Sequence, residues 1–316
     1  SSITGGGTFC LNSNQTLNST ISGGTGTITY QWQSSTNGTS GWTNITGATS
    51  TSYTPPTSSV GTTYYQLIVS ASGSGCDNGT SNSVSVTIPT NLTSGSLSNT
   101  TSVSGCVGYS TAITLTINTP TGGISPYTYQ WNNGVTPITG STGTSYVVPV
   151  PLNSVGTYSY NCTTTDACGT SVTSSSKVYT IVSDPTITSQ PVSTSNICLN
   201  STLTLSVTAT GGTPSLTYQW YSNTTNSTSG GTLLTGETNP TFNVPTGTSG
   251  TKYYYVKVDA TGVGCTITTS NVSTVNITNP PTANITYSSS SYCTTNSTPQ
   301  TPTLTGTNSY TGGSYS

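Results

Sequence analysis

The chain has 316 residues, 29% of them hydrophobic and only 3% charged, with a net charge of −2 and no His or Met. Its only cations are Lys177, Lys252 and Lys257, so it lacks the clustered basic residues that phosphates require, and nucleic acid and anionic lipid are excluded as partners. No apolar run approaches the roughly 20 residues of a bilayer span, so no membrane insertion is expected, and acid–base chemistry has almost no side chains to work with. No enzyme activity and no cofactor are expected.

Low apolar content often accompanies disorder. Here twenty Tyr, four Trp and regular Val/Ile/Leu alternation argue instead for folded domains with thin cores, their surfaces kept soluble by hydroxyls and amides. The tripeptide Tyr-Gln-Trp occurs three times, ending at Trp32, Trp131 and Trp220, with spacings of 99 and 89 residues. That spacing fits domains of roughly 90–100 residues, and each of these Trp residues is expected to be core. In the first repeat Ile45 and Tyr53 lie eight apart, and Gly61 precedes a Tyr-rich strand. Trp42 stands outside the repeated position and is a candidate surface contact for a glycan. The second repeat keeps the phase with Ile138, Tyr146 and Gly156. In the third, Pro185 to Pro191 reads as an edge strand. Leu203, Leu205 and Val207 alternate up to Gly211-Gly212, Leu234 and Phe242 repeat the eight-residue step, and Val272, Val275 and Ile277 form the last strand.

About seven short strands per repeat, with no 3.6-residue period, predict an all-β chain of tandem immunoglobulin-like antiparallel β-sandwiches arranged as a rod. The run from Gly156 through Tyr158 and Tyr160 to Cys162 resembles the Gly-x-Tyr-x-Cys region of that superfamily, with Val69 and Val258 in the place of Cys162 in the other repeats. Breaks at Pro89, Asp184-Pro185 and Asn279-Pro280-Pro281 set domains at 1–89, 90–183 and 184–279. Residues 280–316 then start a fourth, different β repeat that stops partway. Either the natural chain continues or this tail adds a strand to a neighbour.

Eight Cys with no His and no Cys-x-x-Cys favour disulfides and an oxidising exterior. Cys10, Cys106 and Cys198 lie just before the second strand of each repeat. Cys76, Cys168 and Cys265 lie near the turn between the last two strands. One pair per domain, Cys10–Cys76, Cys106–Cys168 and Cys198–Cys265, is the simplest scheme, each loop contributing on the order of 3–4 kcal/mol. The rival scheme, Cys10–Cys168 and Cys106–Cys265, joins consecutive domains, because those turns sit at opposite poles of a sandwich and meet only between neighbours. Cys162 and Cys293 remain unpaired in either scheme.

Asn-x-Ser/Thr sequons are frequent, at Asn18, Asn37, Asn44, Asn91, Asn200, Asn223 and Asn276 among others. In a chain this rich in Ser and Thr chance explains most of them, yet a hydroxyl-covered, nearly uncharged surface suits glycans. Asp77, Asp166 and Asp259 fall around the turns before the last strand, where a backbone-capping Asp is the expected residue and one carboxylate per turn is too few for a metal.

The run Trp42-Thr-Asn-Ile45 to Tyr53-Thr-Pro, then Gly61-Thr-Thr-Tyr64-Tyr65, Gly75-Cys76 and Gly264-Cys265, resembles the immunoglobulin-like repeats of giant secreted surface proteins of Bacteroidota. The tail from Tyr292-Cys293 to Pro299-Gln300, Leu304-Thr-Gly306 and Tyr310-Thr-Gly312-Gly313 resembles a second repeat type of the same proteins, which include gliding-motility adhesins. The resemblance implies type IX secretion, cell-surface anchoring and a filamentous adhesive role. The expected function is therefore a structural segment of an extracellular filament or adhesin stalk, with further copies or the remainder of a longer chain as partners. The alternatives are a glycan- or matrix-binding module and a subunit that polymerises through its tail.

Overall fold

The computed structural model describes residues 1–73, 77–98, 101–286 and 303–307, and among these every regular element is a β-strand. Contact density divides the chain into two compact units. One comprises Ser1–Ser102, Ala112–Val148 and Tyr158–Tyr179, and the other Val103–Thr111, Pro149–Thr157 and Thr180–Ser316.

The first sandwich contains β1 (Ser2–Thr4), β2 (Gly7–Thr8), β3 (Leu17–Thr20), β4 (Ile28–Ser35), β5 (Thr43–Asn44), β6 (Ser52–Tyr53), β7 (Gly61–Ala71), β8 (Gly79–Thr80) and β9 (Val84–Ile88). One sheet runs β1-β3-β6 and the other β2-β9-β7-β4-β5, with β8 added to β7. These strands pair antiparallel except β2 with β9, which run parallel with Thr8 opposite Thr87. This is the strand order of an immunoglobulin domain.

The same order recurs twice. The second sandwich has β10 (Val103–Cys106), β11 (Ile113–Thr116), β12 (Thr128–Asn133), β13 (Thr136–Pro137), β14 (Ser145–Val148), β15 (Gly156–Thr165), β16 (Ser171–Thr173) and β17 (Lys177–Val182), with sheets β11-β14 and β10-β17-β15-β12-β13. The third has β18 (Thr186–Ser189), β19 (Thr194–Cys198), β20 (Thr204–Ser206), β21 (Thr208–Thr210), β22 (Leu216–Asn223), β23 (Thr232–Leu233), β24 (Thr241–Asn243), β25 (Gly250–Ala260), β26 (Thr268–Thr269) and β27 (Ser273–Thr278). Its larger sheet runs β19-β27-β25-β22-β23, and β18-β21 and β20-β24 pair opposite. β28 (Thr282–Thr286) and β29 (Thr303–Thr307) then pair antiparallel within the chain. The rest of the tail expected to add a strand to a neighbour lies outside the described residues.

Alternation explains the cores. Trp32, Trp131 and Trp220 are fully buried, each indole Nε1 donates to a backbone carbonyl at 2.9 Å (Ser50, Gly143 and Asn239), and each ring lies 5.4–5.8 Å from Tyr53, Tyr146 or Phe242. Those three aromatics sit directly opposite the buried Leu17, Leu115 and Leu205 on the facing sheet. The Gln of the tripeptide points the other way. Gln31, Gln130 and Gln219 each donate from Nε2 to the adjacent Trp carbonyl and to Ile45, Ile138 or Leu234 O, closing the irregular stretch after the strand.

The register corrects one reading. Leu67, Cys162 and Val256 stand opposite the three Trp residues, and their N–H groups donate to Ser81, Ser174 and Ser270 Oγ. Leu67 and Val256, rather than Val69 and Val258, therefore occupy the position of Cys162. The same phase follows from Gly61, Gly156 and Gly250 at the strand start and from Tyr65, Tyr160 and Tyr254 just before these positions. Two residues further on, Val69 and Val258 correspond to Thr164, which is fully buried and whose Oγ1 has no hydrogen-bond partner. An unpaired buried hydroxyl costs about 1–3 kcal/mol. Thr164→Val, which copies both sister sandwiches, is expected to raise stability by roughly 1 kcal/mol, read as a higher urea midpoint at unchanged slope.

Candidate functional site: the disulfides joining consecutive sandwiches

Each sandwich builds the same cysteine turn. In Cys10–Ser13, Cys106–Tyr109 and Cys198–Ser201 the fourth N–H donates to the Cys carbonyl at 3.1 Å. The third residue has a positive φ, 57° at Asn12, 92° at Gly108 and 65° at Asn200. Asn and Gly are the residues that reach this conformation most cheaply. That third N–H donates to the loop before β7, β15 or β25, at Thr57, Leu152 or Thr246 O. In the first and third turns the Thr57 and Thr246 hydroxyls donate back to Ser13 and Ser201 O at 2.6 Å.

Pairing with the last strand, parallel in the first and third sandwiches, decides where these turns point. The strand before each Cys runs alongside the last strand of its own sandwich, so the thiol emerges where the chain leaves: Phe9 N donates to Thr87 O, Val107 N to Val182 O and Leu199 N to Thr278 O. The departing chain is itself held by the next sandwich. Thr90 O accepts from Gly123 N and Ser183 O from Gly212 N, both at 2.8 Å. A Cβ on Gly122 or Gly211 would collide with the carbonyl of Asn91 or Asp184, so only glycine lets the linker lie there.

The partner turns are equally built. Asp166 is buried and spends both carboxylate oxygens on backbone: Oδ1 accepts from Cys168 and Thr170 N at 2.9 Å, and Oδ2 from Ile124 N at 3.2 Å. In the third sandwich Cys265 N donates to Gly262 O, Gly262 N to Thr213 O, and Val263 O accepts from Cys106 N at 2.9 Å. The disulfides are Cys10–Cys168 and Cys106–Cys265, with Cα separations of 5.7 and 4.7 Å. The one-pair-per-domain scheme of Cys10–Cys76, Cys106–Cys168 and Cys198–Cys265 is thus corrected. The strand lying beside the last strand of each sandwich carries its Cys to the end where the chain departs, away from that sandwich's own last turn. Among the described residues Cys162 is a buried and Cys198 an exposed free thiol; Cys76 and Cys293 lie outside them.

Cys162 and its neighbours set an alkaline limit. Burial pushes the Cys162 thiol up to about 11, and burial aided by Tyr146, Tyr158 and Tyr179 pushes Tyr160 up to about 12. Tyr53, Tyr65, Tyr146 and Tyr254 are also raised by burial. A raised acid stays protonated longer in the fold than in the unfolded chain. Its stabilisation is complete below the unfolded value and is lost as pH climbs toward the folded one. Buried Lys177, above the Tyr179 ring at 5.4 Å, has the opposite sign, its pKa lowered by burial. Stability is expected to fall between pH 9 and 12. Cys162→Val, copying Val256, should delay the onset from about pH 9 to about pH 10 in urea melts taken across that range.

Of the candidate glycan sites, Asn18, Asn37, Asn44, Asn91 and Asn200 are exposed, while Asn223 and Asn276 are half-buried. The Asn223 amide donates to Ser227 and Ser229 O, and the Asn276 amide to Asn196 Oδ1. Trp42 is half-buried, just before β5. Among the described residues no three His, Cys, Asp or Glu side chains gather as metal ligands, and no helix is long and apolar enough to cross a membrane.

The chain is a tandem of immunoglobulin-like sandwiches carrying disulfides. Residues 184–281 match the family model "Ig-like domain CHU_C associated", residues 98–136 the SprB repeat, and residues 1–90 a domain of unknown function (DUF8696). The first two are Bacteroidota-associated families of surface-protein repeats. The SprB match falls in the second sandwich, whereas the sequence resemblance to a second repeat type was placed in the tail. Among curated proteins nothing matches. Similar solved structures include three N-terminal domains of the bacteriophage RB49 Hoc capsid protein (13% identity, 88% of this chain and 98% of that one, TM-score 0.44). The titin I-band fragment I67–I69 (16%, 87% and 95%, 0.43) and Drosophila OTK extracellular domains 3–5 (13%, 88% and 97%, 0.33) are others.

Proposed function

We propose that this chain is a load-bearing segment of an extracellular surface filament or adhesin stalk, of the kind found in gliding-motility adhesins and exported by type IX secretion. The observation that carries this is the disulfide pattern. Both bonds join one sandwich to the next rather than bracing a single core, and both linkers are docked on the following sandwich. A binding module needs no covalent tie between domains, whereas a stalk must keep its joints from opening. The bonds require an oxidising exterior, and the near absence of charge suits a surface covered by glycans. Its partners are the remainder of a longer chain or further copies, and surface glycans. Immunogold electron microscopy of unpermeabilised cells tests the proposal. Label along surface projections, lost with adhesion when the coding region is deleted, is expected; label confined to the cell interior, or adhesion unchanged, overturns it.

A further inference from the structure

The turn at Cys198 reproduces, bond for bond, the two turns already carrying disulfides. Ser201 N donates to Cys198 O as Ser13 N does to Cys10 O and Tyr109 N to Cys106 O. Asn200 has the positive φ of Asn12 and Gly108. The Thr246 hydroxyl braces the turn as Thr57 braces the first. The strand before it is paired residue by residue with the last strand of its sandwich, ending at Cys198 opposite Thr278. The thiol is exposed beside the residues where the chain departs toward β28. In both occupied cases the partner is a Cys in the turn before the last strands of the sandwich that follows.

We propose that Cys198 is the third member of this series and forms a disulfide with a Cys in the corresponding turn of a further β-sandwich of the same kind. The chemistry is thiol–disulfide exchange with a small-molecule or oxidoreductase disulfide as oxidant. The Cys198 thiolate attacks one oxidant sulfur and expels the other as a thiolate. The partner thiolate then attacks Sγ of Cys198 and expels the second. Two thiols lose two electrons and two protons, and one oxidant disulfide becomes two thiols. This inference deepens the stalk reading and rests on it only for the oxidising exterior.

Disulfide mapping tests it on the natural full chain taken from the cell surface. Free thiols are blocked with iodoacetamide before any reductant, and the unreduced protein is cut with pepsin, because trypsin has only three Lys to use in these 316 residues. The expected result is a Cys198 peptide linked to a Cys peptide from the following module, with no alkylated Cys198. Alkylated Cys198 beside intact Cys10–Cys168 and Cys106–Cys265 overturns this inference and leaves the stalk standing. Linkage of Cys198 to Cys293, or to Cys76 of a second copy, overturns it also. Alkylation at all of these positions overturns both readings.

Discussion

A single molecule pulled between Ser1 and Asn279 should gain roughly 670 Å of contour length when its disulfides are reduced. The chain from Cys10 to Cys265 is 255 residues long, but the path through both bonds uses only the 62 residues between Cys106 and Cys168. At about 3.5 Å per extended residue the difference follows. The overlap of the two loops makes the single variants diagnostic. Cys10→Ser alone leaves Cys106–Cys265 to short-circuit nearly as much chain, so it should lengthen the oxidised molecule by only about 120 Å, with the remaining gain, about 550 Å, appearing on the second substitution. Separate loops would instead add in equal steps. Force spectroscopy with and without dithiothreitol reads both numbers, and equal steps would refute the overlapping arrangement.

Trp220→Ala is expected to cost about 3–5 kcal/mol, a large share of the stability of a sandwich on the order of 5–15 kcal/mol. Trp220 is fully buried, packs against Phe242 at 5.4 Å and stands opposite Val256, and truncation also orphans the carbonyl of Asn239. Trp42→Ala, at a half-buried position outside the repeat, should cost under about 1 kcal/mol. Differential scanning calorimetry of the two variants should show a displaced transition only for Trp220→Ala. A comparable loss at Trp42 would mean that it too is core.

The fold was legible because its signal is periodic. The Tyr-Gln-Trp repeats, the eight-residue step from Ile45 to Tyr53 and its two copies, and the Gly before each long strand all report inward-facing positions, and burial is what alternation encodes. Less legible was anything that depends on how strands pair. Nothing in the composition of Gly7–Thr8 says that this two-residue strand runs parallel to β9, yet that pairing sends Cys10 to the far pole and selects Cys168 as its partner. The role of Gln31, Gln130 and Gln219 was hidden for the same reason, since their acceptors lie 8–15 residues away. Cys162 was set against Val69 and Val258, two positions out of phase, because a run of alternating residues offers equivalent inward positions every second residue and only the strand pairing fixes which one faces the Trp.

The overlapping loops also govern what a protease can accomplish. A cut anywhere between Cys10 and Cys265 leaves both pieces tied by at least one disulfide, and a second cut in a different third of that span still releases nothing. Nicked molecules should migrate as intact chains until reductant is added. Such a chain remains one covalently connected molecule after its backbone has been severed twice in this way.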